Sequence, residues 1–198
     1  MTVRQSPRPL TAEDLLLPDN PYRDCELWDG TAVVRDSSGG ATGFISARVT
    51  FRIQLYLRDH PIGRGTDREA GWLLARNPDR VLSADATFVS FKRLPEIPSR
   101  GFCPCAPEFV VETRSPDDRW PKMLAKAGVW MGHGTRVVWL VDPMSRTVTI
   151  LRPGSEPLTL RPGDSADAEP IMPGFRVELT PLFEGVPYDP PHDDIQLT

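Results

Sequence analysis

The sequence predicts one mixed α/β domain, with a central mixed β-sheet flanked by helices. Two observations carry this. Short β-rich runs such as Phe109–Thr113 and Val137–Val141 are bounded by turn-forming residues. Between other such runs, Ile45, Val49, Ile53, Tyr56 and Leu57 recur at helical spacing. No internal repeat or shift of composition marks a second domain, and 198 residues suffice for one core. The expected organisation is a flexible arm at 1–10, a domain at 11–184 and a disordered tail at 185–198.

Each element has a local reason. Thr11 is placed to cap a short helix at 12–17, with Glu13 and Asp14 in its first turn. Asp29-Gly30 separates Cys25–Trp28 from Thr31–Val34, a strong hairpin signal because both turn positions favour positive φ. A Ser/Gly-rich loop at 35–42 precedes a helix at about 44–59. Strands follow near 70–74 and 84–90, then a loop at 92–106 rich in proline. After the 109–113 strand, Pro121 opens a helix running to Met131, since proline is tolerated in a first helical turn. Gly134 ends it. The 137–141 strand then turns at Asp142-Pro143 into a partner at 147–151. A strand at 157–160 and a short helix at 181–183 complete the reading.

Composition narrows the function classes. Hydrophobic residues make up 39% and charged residues 25%, ordinary for a globular protein. No apolar run reaches membrane-spanning length, and the N-terminus lacks a signal-peptide core, so a cytoplasmic protein without a membrane partner is expected. Cys25, Cys103 and Cys105 read as reduced thiols. A zinc site built on Cys103 and Cys105 with His60 or His133 lacks the usual paired spacing. The net charge of −4 does not favour non-specific nucleic-acid binding, so any basic contact surface must be local. Arg48 and Arg52 on one helical face, with Arg64 and Arg68 beyond, are candidates; a solvated helix face is the alternative.

The candidate chemistry lies in three residues. Asp85 and Glu112 close apolar, strand-like runs, where a carboxylate is costly unless something binds it. Mg²⁺ commonly takes one or two carboxylates plus substrate phosphates. Alternation puts Asp85 with Thr87 and Val89, and Glu112 with Val110 and Arg114. If the two strands are neighbours, the acids converge on one cation; if not, each is an acid paired with an arginine. On the 121–131 helix, Lys126 lies about 40° outside Trp130 on the apolar arc. There it can run its stem along the sheet and present its ammonium to a site, or snorkel to solvent.

Several stretches together resemble one family. Glu26-Leu27-Trp28-Asp29-Gly30, Ser83–Val89 with Asp85, and Ala106–Glu112 with Ser115-Pro116 are similar to its E-L-x-D-G, R-P-D-V-x-F-V and A-P-D-L-V-V-E-V-L-S-P patterns. Lys126, Trp130, Gly134, Trp139 and Leu140–Pro143 follow K-x3-Y-x3-G-V-x-E-Y-W-L-V-D-P, and Pro173-Gly174-Phe175 and Leu182-Phe183 follow its closing P-G-F and L-F. The chain thus resembles the bacterial Uma-type restriction endonucleases of the PD-(D/E)XK nuclease superfamily. The resemblance runs from about Leu10 to Phe183.

The resemblance implies a restriction endonuclease-like core and a metal-dependent nuclease acting on DNA. In it Asp85 and Glu112 bind Mg²⁺ (Mn²⁺ substituting), Lys126 supplies the cationic side chain, and Glu26 matches a further acidic position of the catalytic set that adds to the metal site, as a ligand of a second ion or of a metal-bound water. The superfamily lysine two residues after the glutamate is here Arg114, which stays protonated and cannot act as a base. Ala84, Thr42, Thr31 and Val137 also depart from the family pattern, and Trp130 replaces a tyrosine with loss of its hydroxyl contact. These departures and the negative charge support an alternative, an inert nuclease-fold module that binds a partner or forms a homodimer. The hairpin at 26–34 and the strand at 147–151 are the candidate dimer edges.

Overall fold

The computed structural model describes residues 2–35 and 39–187. Its centre is a six-stranded mixed sheet with a helix on either face. The strands are β4 (Gly63–Asp67), β7 (Ala86–Ser90), β8 (Phe109–Thr113), β9 (Val137–Asp142), β10 (Thr147–Leu151) and β11 (Leu158–Leu160), ordered β11-β10-β9-β8-β7-β4. All neighbours are antiparallel except β8 and β9, which run parallel and are joined by helix α2 (Trp120–Gly132). A parallel pair needs such a crossover.

Side-chain alternation divides the two faces. Phe109 and Val111, with Val137, Trp139 and Val141, pack under helix α1 (Gly40–Asp59) through its stripe Ile45, Val49, Ile53 and Leu57. Val110, Val138 and Leu140 face the other way and meet Met123, Ala127 and Trp130 of α2. Glu112 shares the parity of Val110, so it too faces α2. Burial of these stripes, more than helix propensity, fixes both helices.

A second sheet lies beside the first: β1 (Val3–Arg4), β2 (Cys25–Trp28), β3 (Thr31–Val34), β5 (Trp72–Ala75) and β6 (Arg80–Leu82), ordered β1-β3-β2-β6-β5 and antiparallel throughout. A two-stranded piece, β12 (Ser165–Asp167) with β13 (Arg176–Glu178), and helix α3 (Leu179–Phe183) close the chain over the α1 face. The single expected sheet is therefore three. The expected hairpin is present as β2–β3, with Asp29 and Gly30 at φ 49° and 78°.

Several local expectations need correction. The loose arm at 1–10 is docked. Val3 and Arg4 pair with β3, and Leu10 is buried with its amide 2.8 Å from the Gly30 carbonyl. The open edge of β3 and the apolar cluster of Leu10, Leu15 and Leu27 supply the reason. The helix expected at 12–17 is one 3-10 turn, Glu13–Leu16. Thr11 does not cap it: its amide and hydroxyl both donate to Asp14. At the other end Val186 is buried and its carbonyl accepts from Arg146, so the tail does not begin at 185; 188–198 lie outside the described residues. The proposed dimer edges are both covered, because β3 lies between β1 and β2 and β10 lies between β9 and β11.

The core under α1 is aromatic. Trp139 is fully buried, 5.0 Å from the Phe109 ring and 6.0 Å from Phe175, and its indole N–H donates to the Asp167 carbonyl. Trp139→Ala removes both the packing and the donor, and is expected to cost about 3–5 kcal/mol. Urea denaturation checks this; a loss below about 1 kcal/mol would contradict the assigned core.

Candidate active site

Four elements bring Glu26, Asp85, Glu112 and Lys126 to one cleft, which encloses about 110 Å³. Glu26 is on β2, at the join between the two large sheets. Asp85 immediately precedes β7 and Glu112 is on β8. The β7–β8 register pairs Ala86 with Val111, so 85 and 112 are the next positions along the same ladder. Lys126 reaches in from α2. The convergence expected from strand alternation is thus present, and the alternative of a separate arginine partner for each acid is not what the structure shows.

The contacts are short and specific. The Thr113 amide donates to Asp85 Oδ2 at 2.6 Å. The buried Trp130 indole donates to Glu112 Oε1 at 2.8 Å. Lys126 Nζ lies 3.0 and 3.2 Å from the two Glu112 oxygens, 2.8 Å from Glu26 Oε1 and 2.8 Å from the Ser83 carbonyl. Glu26 Oε1 also accepts the Ser83 amide at 3.0 Å, and its Oε2 accepts the Trp28 indole at 3.1 Å. Lys126 does not snorkel to solvent: its side chain is 18% exposed.

Burial sets the electrostatics. It is the largest influence on Glu112, and with Asp85 and Glu26 nearby it pushes that carboxyl up to about 7, against Lys126 and Trp130. Burial likewise pushes Asp85 up, against the Thr113 amide and the Lys126 charge. For Lys126 burial works against the charge, yet Glu112 and Glu26 together outweigh it and hold the ammonium above its ordinary value. Lys126 is therefore held in its charged form.

Asp85 and Glu112 suit a hard divalent cation. Burial disfavours the ionised form of both, and Asp85 adds to the penalty on Glu112, which a dication relieves. No group of three or more His, Cys, Asp or Glu side chains set to hold a metal exists among the described residues. Two carboxylates would be enough for Mg²⁺, which takes its remaining ligands from water and substrate phosphate. The zinc alternative gains no support: among the described residues Cys103 and Cys105 belong to no group of three or more His, Cys, Asp or Glu side chains set to hold a metal.

Other expected residues have structural partners. Arg114, at the superfamily lysine position, pairs with Asp142 at 2.8 Å. Arg48 donates to the carbonyls of Leu182 and Glu184, and Arg64 to those of Leu94 and Pro95, with its guanidinium over Phe91. Arg68 lines the cleft, as does Arg35, whose guanidinium donates to the Arg68 carbonyl at 3.2 Å. Trp130, read as losing a hydroxyl contact, supplies an indole N–H to the central carboxylate. Trp28 and Ser83 have no site role in the sequence reading, although Trp28, two residues after Glu26 on a strand, is placed on the same face.

No helix among the described residues is long and apolar enough to cross a membrane. No curated protein matches the sequence significantly. A solved structure from Anabaena variabilis, described as a "putative nuclease belonging to DUF820", is 21% identical and covers 88% of this chain and 98% of its own. Its TM-score of 0.74 shows a shared fold. The profile of the Uma2 family, whose description is "Putative restriction endonuclease", matches residues 11–181. Spanning nearly all of the described domain, that match shows that the chain belongs to the Uma2 family.

Proposed function

We propose that this protein is a Mg²⁺-dependent nuclease that hydrolyses DNA phosphodiester bonds, with Mn²⁺ as a substitute ion. The observation that carries the reading is the juxtaposition of Asp85, at the start of β7, and Glu112, on the adjoining β8, with the Lys126 ammonium 3.0 Å from Glu112. Asp85 and Glu112 would hold the ion. When bound, it supplies Lewis-acid activation of water and neutralises charge at the scissile phosphate. Thr113 holds Asp85, and Trp130 holds Glu112, so both carboxylates are oriented in advance. Lys126 presents positive charge where negative charge builds on the pentavalent phosphorus. The net charge is acidic, but Arg35 and Arg68 line the same cleft and would add positive charge beside a bound phosphate.

Cleavage of supercoiled plasmid and of single-stranded DNA, with Mg²⁺ or Mn²⁺, tests the proposal. Wild type is expected to cut only with metal, and Asp85→Ala and Glu112→Ala are expected to be inactive while retaining a native circular-dichroism spectrum. Undiminished cutting by either folded variant would remove it from the site. Absence of cleavage and of Mn²⁺ binding in wild type would instead favour a nuclease-fold binding module.

A further inference from the structure

We infer that Glu26 is a positioning residue that holds Lys126 in the cleft and is not a ligand of the metal; this rests on the nuclease reading above. Glu26 and Glu112 are held in the same manner. Each hangs on one tryptophan, Trp28 for Glu26 and Trp130 for Glu112, and the Lys126 ammonium bridges the two carboxylates.

Their remaining partners differ. Glu26 accepts three donors on two oxygens: the Ser83 amide and Lys126 on Oε1, and the Trp28 indole on Oε2. It stands on β2, in the other sheet, whereas Asp85 and Glu112 lie opposite each other at the next step of the β7–β8 register beyond Ala86 and Val111. No third acid joins them in a group able to enclose a metal among the described residues. Glu26 is thus satisfied by its own protein partners.

Lys126 explains why a glutamate is needed there. An ammonium has three protons, and here three acceptors receive them: the Ser83 carbonyl, Glu26 and Glu112. A cation held by Glu112 would compete for the third. The Ser83 carbonyl and Glu26 then remain to keep the lysine at the cleft, leaving one N–H to turn toward a phosphate oxygen. Ser83 serves twice, since its amide fixes Glu26 and its carbonyl fixes Lys126. The Trp28–Glu26–Ser83 group therefore acts on the reaction through Lys126.

Mn²⁺ titration by calorimetry and single-turnover plasmid cleavage on the full chain separate the two roles. Glu26→Gln is expected to keep Mn²⁺ affinity within about threefold of wild type while cleavage slows about 10- to 100-fold. Glu112→Gln in the same titration is expected to lose Mn²⁺ binding. Trp28→Phe keeps the Glu26 charge but removes its indole donor, and should slow cleavage less with Mn²⁺ affinity again retained; it carries the test should Glu26→Gln not fold. Loss of Mn²⁺ affinity in Glu26→Gln as large as in Glu112→Gln would make Glu26 a ligand and overturn the inference. Cleavage at the wild-type rate would overturn it too. A wild-type protein that binds no Mn²⁺ would overturn the nuclease reading itself, and this inference with it.

Discussion

Glu112→Gln is expected to abolish cleavage and, without metal at pH 8, to make the protein more stable by about 1–3 kcal/mol. The two effects have one origin. Burial first, then Asp85 and Glu26, raise the Glu112 carboxyl from its ordinary 4.5 to about 7. The folded state therefore holds an extra proton between those values, and stability falls as pH rises through that window. Below about pH 4.5 the penalty is absent; above about pH 7 it is complete. Gln is neutral at every pH and keeps an oxygen for the Trp130 indole, so its advantage should appear at pH 8 and shrink toward pH 4.5. Urea denaturation at both pH values checks this. Equal stability of the two proteins at pH 8 would mean that the buried carboxylate is not under strain, and would weaken the case for a bound cation.

That strain was partly legible in the sequence. A carboxylate ending each of two apolar runs is visible without coordinates, and so is a lysine flanking the apolar arc of a helix. The Asp29-Gly30 hairpin and the 109–113 and 137–141 strands were equally plain, because local propensity and tertiary packing agree there. β4 was not. Gly63 and Gly65 have poor strand propensity, yet a Cβ at Gly63 would collide with the Val89 carbonyl and lie 2.8 Å from the Ser90 Cα. Glycine is there for close approach of strand and strand, which only the assembled sheet reveals. β6, β12 and β13 have three residues each, too few to establish a period.

At the site the same divide holds. Asp85 and Glu112 share a ladder, so strand periodicity brought them together. Glu26 stands in another sheet, and its meeting with Lys126 depends on how two sheets join. Arg114 shares the parity of Glu112 but lies one residue past the end of β8, where Asp142 at the end of β9 captures it. Alternation loses its force once a strand ends.

Lys126→Met is the severest test of this arrangement. It is expected to destabilise the metal-free protein by about 3–5 kcal/mol at pH 8, because it leaves two buried carboxylates facing each other without their cation. Met fills a similar volume, so packing changes little and the loss reports charge. The pH dependence distinguishes this from a cavity effect. Lys126 is among the influences that lower Glu112, so its removal raises that carboxyl further, and a proton then does part of what the ammonium did. The loss should therefore shrink as pH falls below about 7 and grow above it, opposite to a pH-independent packing defect. In the double variant Lys126→Met/Glu112→Gln, one of the two charges is gone, and much of the stability should return. Denaturation of the two variants at pH 6 and pH 8 makes the comparison. If Lys126→Met were as stable as wild type at pH 8, the ammonium would not be what allows three acids to share one cleft.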